Sequence, residues 1–164
     1  MALETHTKII FENIKIENKI DFFQLWQDTF QKIYPNNKAN FNDPLMTLRI
    51  NKNFYLSKYF TSIRNIEGDF LECGVFKGFS SLLLRSIEEK LSDFKINNYF
   101  LIDSFEGLSD ILEEDKPLNK NIHGNKKGDL KANFEAVENL FNQFDNVNII
   151  KGWIPRAFEL LNDS

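Results

Sequence analysis

The sequence is poor in the residues that define several protein classes. Its 164 residues include a single cysteine, Cys73, four prolines and seven glycines. One cysteine excludes an internal disulfide framework and fits a reducing compartment. The glycines and prolines form no linker-like segment, and no internal repeat or block of like charge marks a domain boundary. We therefore expect a single domain, residues 1–164, in the cytoplasm.

Long hydrophobic runs and an excess of positive charge are also missing. A membrane-spanning helix needs about 18 or more apolar residues in succession, and the sequence contains no such run. Residues 1–20 lack the continuous apolar stretch of a secretory signal. The formal net charge of −4 provides no broad positive field to neutralise nucleic-acid phosphates. We therefore expect neither a membrane nor a nucleic acid as partner.

Apolar residues are abundant enough to form a core. They make up 42% of the chain, and 17 residues are phenylalanine. Apolar positions recur at three- and four-residue steps from Ile20 to Tyr34 and from Leu45 to Ile63, which predicts two amphipathic helices. In the first helix, Phe22, Phe23 and Trp26 belong to the inner face. These helices constitute a predicted N-terminal helical cap, residues 1–66.

Short apolar runs then alternate with longer helical patterns, which predicts an α/β fold over residues 67–164. The predicted strands and helices, in chain order, are Phe70–Val75, Phe79–Leu91, Tyr99–Ile102, Lys131–Phe144 and Val147–Ile150. Strands that alternate with helices favour a parallel sheet with right-handed crossovers. Ligands bind such open sheets beyond the carboxyl ends of the strands. We therefore expect the functional residues at that edge.

The segment GDFLECGVFKGFSS, residues 68–81, contains a glycine turn between the first strand and its helix. Gly74 permits a backbone path or a close ligand approach that a side chain would block. Gly78, with Ser80 and Ser81, opens a helix whose first amide groups favour an anionic group. The alternative is a tight strand-to-helix turn without a ligand, because short glycine patterns are weak signals.

The two later strands end in further candidates. Asp103 follows the second strand in LIDSFEGL, where a carboxylate can accept hydrogen bonds from ribose hydroxyls. The third strand ends in KGWIP, where Gly152 would admit an adenine ring and Trp153 would cover it. The alternatives are a capping role for Asp103 and core packing for Trp153. Two signals in the expected order favour a nucleoside-type ligand.

The segments GDFLECGVFKGFSS, YFLIDSFEGL and IIKGW, in this order, resemble the macrocin O-methyltransferase family. The resemblance covers about residues 44–158. Its combination of motifs is more specific than the pattern of a generic glycine loop. It implies a Rossmann-like class I methyltransferase fold with S-adenosyl-L-methionine as cofactor. It also implies an O-methyltransferase acting on a sugar or other small-molecule hydroxyl. Only the N-terminal, cofactor-binding half of the family is recognisable, so we expect an incomplete fold of three parallel strands.

The resemblance also assigns residues to parts of the cofactor. Glu72, Gly74 and Gly78 would line its methionine side, and Asp103 would hold the ribose. Met46 and Thr47 resemble an upstream element that closes over the cofactor. The complete set of implied cofactor-binding residues is Met46, Thr47, Glu72, Gly74, Phe76, Gly78, Ser80, Asp103, Ser104, Phe105, Gly152 and Trp153.

The resemblance further implies a catalytic divalent metal such as Mg²⁺, held by an aspartate-rich stretch that follows the third strand in the family. No such stretch occurs between Trp153 and Ser164, so no metal ligand is assigned. His123, in the polar segment NKNIHGNKKGD, is a candidate base for the acceptor hydroxyl. The alternative is an exposed loop histidine.

Two other functions stay open at this point. A non-catalytic domain that binds S-adenosylmethionine or a nucleotide would keep the fold and pair with another chain, because the first strand of a half-sheet has an uncovered edge. A homo-oligomer or a separate C-terminal half would cover that edge. A nicotinamide-dependent oxidoreductase fits less well, since the glycine turn lacks a closely spaced Gly-x-Gly. Cys73, within the first strand, is expected to be buried and unreactive.

Overall fold

The computed structural model describes residues 14–110, 112–115 and 126–163. The regular elements are β1 (Lys15–Ile16), β2 (Ile20–Asp21), α1 (Phe22–Ile33), α2 (Pro44–Ser62), β3 (Phe70–Cys73), α3 (Phe79–Glu88), β4 (Tyr99–Asp103), α4 (Phe134–Phe141), β5 (Val147–Lys151) and two 3-10 helices, Glu113–Asp115 and Arg156–Asp163. They fall into two compact units. In the described ranges, the first unit comprises residues 14–69 and 78–97, and the second comprises residues 70–77 and 98–163.

The first unit contains the two predicted N-terminal helices together with α3. Helix α1 begins at Phe22 because the Asp21 carboxylate accepts a hydrogen bond from Gln24 N at 2.9 Å. Its inner face buries Phe22, Phe23 and Trp26, as predicted. The predicted start at Ile20 is wrong, since Ile20 pairs with Ile16 in the short antiparallel hairpin β1–β2.

Helix α2 has the predicted extent within one residue at each end, but its inner face differs. Leu48 and Tyr59, which the apolar pattern placed inward, are 62% and 71% exposed. The buried positions include Ser57, whose hydroxyl donates to Asn53 O at 2.7 Å, and Thr61, whose hydroxyl donates to Lys58 O at 3.0 Å. A hydroxyl bonded to its own helix can be buried at small cost, so hydrophobicity alone identified only part of the buried face, including Phe60.

A buried carboxylate in the first unit connects helix α3 to the segment that follows it. Glu88 is 6% exposed. One carboxylate oxygen accepts a hydrogen bond from Ile96 N at 2.8 Å, and the other lies 3.3 Å from Arg85 Nη1. This contact fixes the segment after α3 against the helix itself.

Replacing Glu88 with glutamine is therefore expected to lower the free energy of unfolding by about 1–2 kcal/mol, because the charge-assisted contact to Arg85 is lost. The matched control is Glu89→Gln, since Glu89 approaches the same arginine at 3.7 Å but is exposed. Exposed pairs contribute roughly 0–1 kcal/mol. Urea denaturation of both variants measures the difference, and equal effects would contradict the structural role of Glu88.

The second unit contains the sheet, a three-stranded parallel sheet in the order β3–β4–β5. Phe70 pairs with Tyr99, and Tyr99 pairs with Val147. The central strand buries Tyr99, Leu101 and Ile102. This is the predicted β-α-β-α-β order and an α/β architecture of the partial Rossmann-like kind.

The prediction of a buried first strand and a buried Cys73 is wrong. Leu71 is 47% exposed and Cys73 is also exposed. The reason is the position of β3 at the edge of the sheet, where its only strand partner among the described residues is β4. A strand paired on one side leaves side chains and backbone groups toward solvent.

The helix of the second unit is shorter than its sequence pattern. Helix α4 begins after Asn133, whose side-chain oxygen accepts from Ala136 N at 2.9 Å, so residues 131–133 precede the helix. Val137 and Phe141 are buried as predicted. In the parts of the chain that the structure describes, no helix has the length and apolar character needed to cross a membrane.

Candidate cofactor site

The carboxyl ends of the three parallel strands are tied together by backbone hydrogen bonds. Gly74 N donates to Ile102 O at 2.8 Å, and Gly152 N donates to Asp103 O at 2.9 Å. A cavity of about 260 Å³ lies at this edge. It is lined by Gly74, Phe76, Asp103, Ser104, Gly107, Leu108, Leu130, Gly152, Trp153 and Ile154.

Asp103 has a structural role in the lining of the cavity. One carboxylate oxygen accepts a hydrogen bond from Phe76 N and the other accepts one from Phe105 N, both at 2.7 Å. Phe76 and Phe105 have φ angles of 53° and 59°, a conformation that costs free energy for residues with a side chain. The carboxylate therefore stabilises two turns at once. A carboxylate has about four lone-pair positions, so Asp103 keeps acceptor capacity for a ligand hydroxyl.

Trp153 is held at the rim of the cavity by a second carboxylate. Its indole Nε1 donates to Glu106 Oε2 at 3.1 Å, and its side chain is 44% exposed. Glu106 N in turn donates to the hydroxyl of Ser104 at 3.2 Å. The hydrogen bond between Trp153 and Glu106 thus joins the turns after β4 and β5, and it fixes the orientation of the indole ring. An exposed, oriented indole can cover a flat apolar group.

The structure brings half of the predicted cofactor-binding residues together. Gly74, Phe76, Asp103, Ser104, Gly152 and Trp153 all line the cavity. Glu72 lies half-buried in β3 and Phe105 is buried against Phe134, with ring centroids 5.2 Å apart. Neither of these two side chains lines the cavity.

Four further predicted residues belong to the first unit. Met46 is buried and lies with Thr47 in the first turn of α2. Gly78 precedes α3 in the left-handed conformation, φ 78°, without a side-chain cap, and Ser80 lies in the first turn. A helix start of this kind has amide groups available for an anion. Their role beside a cofactor stays a prediction.

The remaining assignments concern catalysis and metal. His123 lies outside the described residues. Within residues 14–110, 112–115 and 126–163, no group of three or more histidine, cysteine, aspartate or glutamate side chains could hold a metal ion. The carboxylate of Asp110, two residues after LIDSFEGL, pairs with Lys127 Nζ at 2.9 Å. The described residues therefore do not fit a catalytic divalent metal, and no chemical step is assigned to one.

Four lining residues lie outside the predicted set: Gly107, Leu108, Leu130 and Ile154. The first two are the last residues of the segment LIDSFEGL, and Ile154 follows Trp153, so their proximity in sequence to predicted residues was an available signal. Leu130 is 27 residues after Asp103 and has no local pattern. Only the folded backbone brings it to the strand ends.

A three-stranded parallel sheet flanked by helices defines the class of this protein as a partial Rossmann-like α/β fold, and its cavity lies at the carboxyl ends of the strands, where proteins of this class bind ligands. Residues 56–161 match the family described as Macrocin-O-methyltransferase (TylF), and the chain belongs to this family. Mycinamicin III 3''-O-methyltransferase from Micromonospora griseorubida is 30% identical over 95 residues, which are 54% of this chain and 37% of that protein. The chain thus spans little more than a third of this relative.

Proposed function

We propose that the chain is the cofactor-binding part of an S-adenosylmethionine-dependent O-methyltransferase that acts on a sugar or other small-molecule hydroxyl in the cytoplasm. Membership of the macrocin O-methyltransferase family supports the reaction class. The carrying observation is the cavity at the strand ends, where Asp103 and Trp153 lie on adjacent strand ends. A hydrogen-bond acceptor beside an aromatic ring suits the ribose and base of a nucleoside.

The residues of the second unit have separate tasks in this proposal. The free lone pairs of Asp103 accept hydrogen bonds from the ribose hydroxyls. The indole of Trp153 covers the base and excludes water from one of its faces. At Gly74 a Cβ atom would meet nothing within 4 Å, so glycine leaves room for a ligand to approach the backbone.

The residues of the first unit belong to the same proposal. The helix starts of this unit, Gly78 and Ser80 in α3 and Met46 and Thr47 in α2, keep the assignment to cofactor binding that the family resemblance implies. The cofactor supplies a methyl group on a positively charged sulfur, which a hydroxyl oxygen can attack; the chain holds and orients that group.

Binding of S-adenosylhomocysteine, the product form of the cofactor, tests the proposal. The chain has two tryptophans: Trp26 is 1% exposed in the first unit and Trp153 is 44% exposed at the cavity. We expect saturable binding by isothermal titration calorimetry and a matching change in indole emission. Trp153→Phe should remove the emission change and weaken binding severalfold, because a smaller ring covers less of the base.

The outcome that counts against the proposal is an absence of both heat and emission change at millimolar ligand, in a chain whose circular dichroism shows a folded α/β protein. An emission change that persists in Trp153→Phe would place the ligand elsewhere. Differential scanning fluorimetry with S-adenosylmethionine and NAD in parallel separates the nicotinamide alternative, since the true ligand raises the melting temperature.

One observation favours a second candidate, a non-catalytic domain that assembles with another chain or a second copy. Strand β3 exposes Leu71 and Cys73 at the edge of the sheet, and such an edge pairs readily with a further strand. Light scattering measures the mass in solution. Cys73, the only thiol, should react rapidly with a maleimide in a monomer and slowly in an assembly that covers β3. A monomer with a fast-reacting thiol would contradict the assembly function.

A further inference from the structure

The segment of residues 126–130 forms one wall of the cavity through Leu130. Two backbone hydrogen bonds join this segment to the turn after β4: Leu108 N donates to Asp129 O at 2.8 Å, and Gly128 N donates to Leu108 O at 2.9 Å. Within the segment, Lys126 N donates to the Asp129 carboxylate at 2.9 Å. The wall is therefore a defined turn fixed to the LIDSFEGL segment.

Leu130 adopts an unfavourable conformation in this turn. Its φ angle is 63°, in the left-handed region where the Cβ atom of an L-residue crowds the backbone. Its side chain is 56% exposed, so little hydrophobic burial offsets the strain. Glycine or asparagine would relieve the strain. A strained residue that gains little from its own packing indicates a function outside folding.

Most of the other lining side chains of the cavity are apolar. Leu108, Trp153 and Ile154 line the same cavity, and the one polar atom among them, Trp153 Nε1, is already bonded to Glu106. The polar lining side chains among the described residues are Asp103 and Ser104, which follow each other at the end of β4. The polar lining side chains thus come from the end of β4, and the apolar ones come from separate turns.

We propose that Leu130 is a ligand-binding residue that holds the purine base of the cofactor against the apolar lining of the cavity, together with Trp153. The proposal rests on the proposed function, because it assumes an adenosyl ligand. Ligand binding covers the exposed half of the leucine side chain. The bound protein therefore gains a favourable free energy of apolar burial that the free protein does not have. Covering about half a leucine side chain corresponds to roughly a fivefold gain in affinity.

The test compares Leu130→Ala and Leu130→Gly with the wild-type chain. Calorimetric titrations use two probes, S-adenosylhomocysteine and adenosine. Both variants should bind both probes about fivefold more weakly. Without ligand, Leu130→Gly should melt at the same or a higher temperature than the wild type, because the left-handed strain is removed. A residue with a purely structural role would not show lower affinity together with undiminished stability. Leu48→Ala is the control, since Leu48 is 62% exposed in α2 and should leave both affinities unchanged.

The possible outcomes separate the two proposals. A wild-type chain that binds neither probe overturns the proposed function and this inference with it. A wild-type chain that binds both probes, with Leu130 variants that bind equally well, overturns the inference alone. Weaker binding accompanied by an equal loss of melting temperature in Leu130→Gly also overturns it, because the residue would then support the turn rather than the ligand.

Discussion

Replacing Asp103 with alanine is expected to abolish measurable binding of S-adenosylhomocysteine and to destabilise the chain by about 2–4 kcal/mol. The stability loss has two sources of similar size, because the backbone N–H groups of Phe76 and Phe105 each lose their 2.7 Å acceptor. An unsatisfied buried donor costs about 1–3 kcal/mol, and the lower part of this range applies to each group because both hydrogen bonds are partly buried. Both groups belong to residues in the left-handed region, so the turns relax and the cavity loses its shape.

Asp103→Asn removes the negative charge of the side chain but keeps its size, so it separates these two contributions. The amide oxygen can still accept one of the two backbone hydrogen bonds, whereas the NH₂ group meets the other N–H donor. We expect a stability loss of about half that of alanine, with binding reduced more than tenfold because a charge-assisted acceptor is gone.

The control for Asp103 is Asp110→Asn. Asp110 is 78% exposed and pairs with Lys127 at 2.9 Å, and such surface pairs contribute roughly 0–1 kcal/mol. Urea denaturation and calorimetry with S-adenosylhomocysteine measure both quantities for each variant. Binding by a folded Asp103→Ala chain within threefold of the wild type would refute the assigned role.

Replacing Gly107 with alanine is expected to lower the melting temperature by more than 10 °C and to weaken binding of S-adenosylhomocysteine at least tenfold. A Cβ atom at this position would lie 2.6 Å from both Asp129 O and Gly128 O, which are backbone atoms that cannot rotate away. The φ angle of 85° adds strain of about 1 kcal/mol for a residue with a side chain. The segment that carries Leu130 would therefore be displaced from the cavity.

Gly128→Ala provides the matched control for Gly107. Gly128 has a similar φ angle of 82°, but its Cβ atom would meet nothing within 4 Å. This variant carries the backbone strain without the collision, so it should lose only about 1 kcal/mol. Thermal denaturation of the two variants isolates the collision. Equal melting temperatures would show that the close approach of residues 107 and 128–129 has no energetic importance.

The order of strands and helices was predictable from the sequence because the strands of a parallel sheet are short apolar runs. Six of the lining residues were predictable as well, since Gly74, Asp103, Trp153 and their neighbours lie at or just after the carboxyl ends of strands. The carboxyl ends of parallel strands meet at one edge. Residues that lie near the carboxyl ends of different parallel strands in the sequence can therefore be expected to lie close together in the fold.

The failures have physical causes in particular residues. Leu130 is brought to the cavity by the backbone hydrogen bonds that its neighbours Gly128 and Asp129 make with Leu108, and these bonds leave no mark in the sequence pattern. The inner face of α2 includes Ser57 and Thr61, whose hydroxyls are satisfied within the helix. Cys73 is exposed because the strand order places β3 at an edge, and strand order is not visible in local hydrophobicity.

The two hydrogen bonds of Asp103 make one side chain the common anchor of two loops. The turn after β3 and the turn after β4 share no other side-chain acceptor at Phe76 and Phe105 among the described contacts. Any displacement of Asp103 moves both backbones together. The two turns that line the cavity therefore move together. A ligand that forms hydrogen bonds with this carboxylate would make both turns more rigid at the same time.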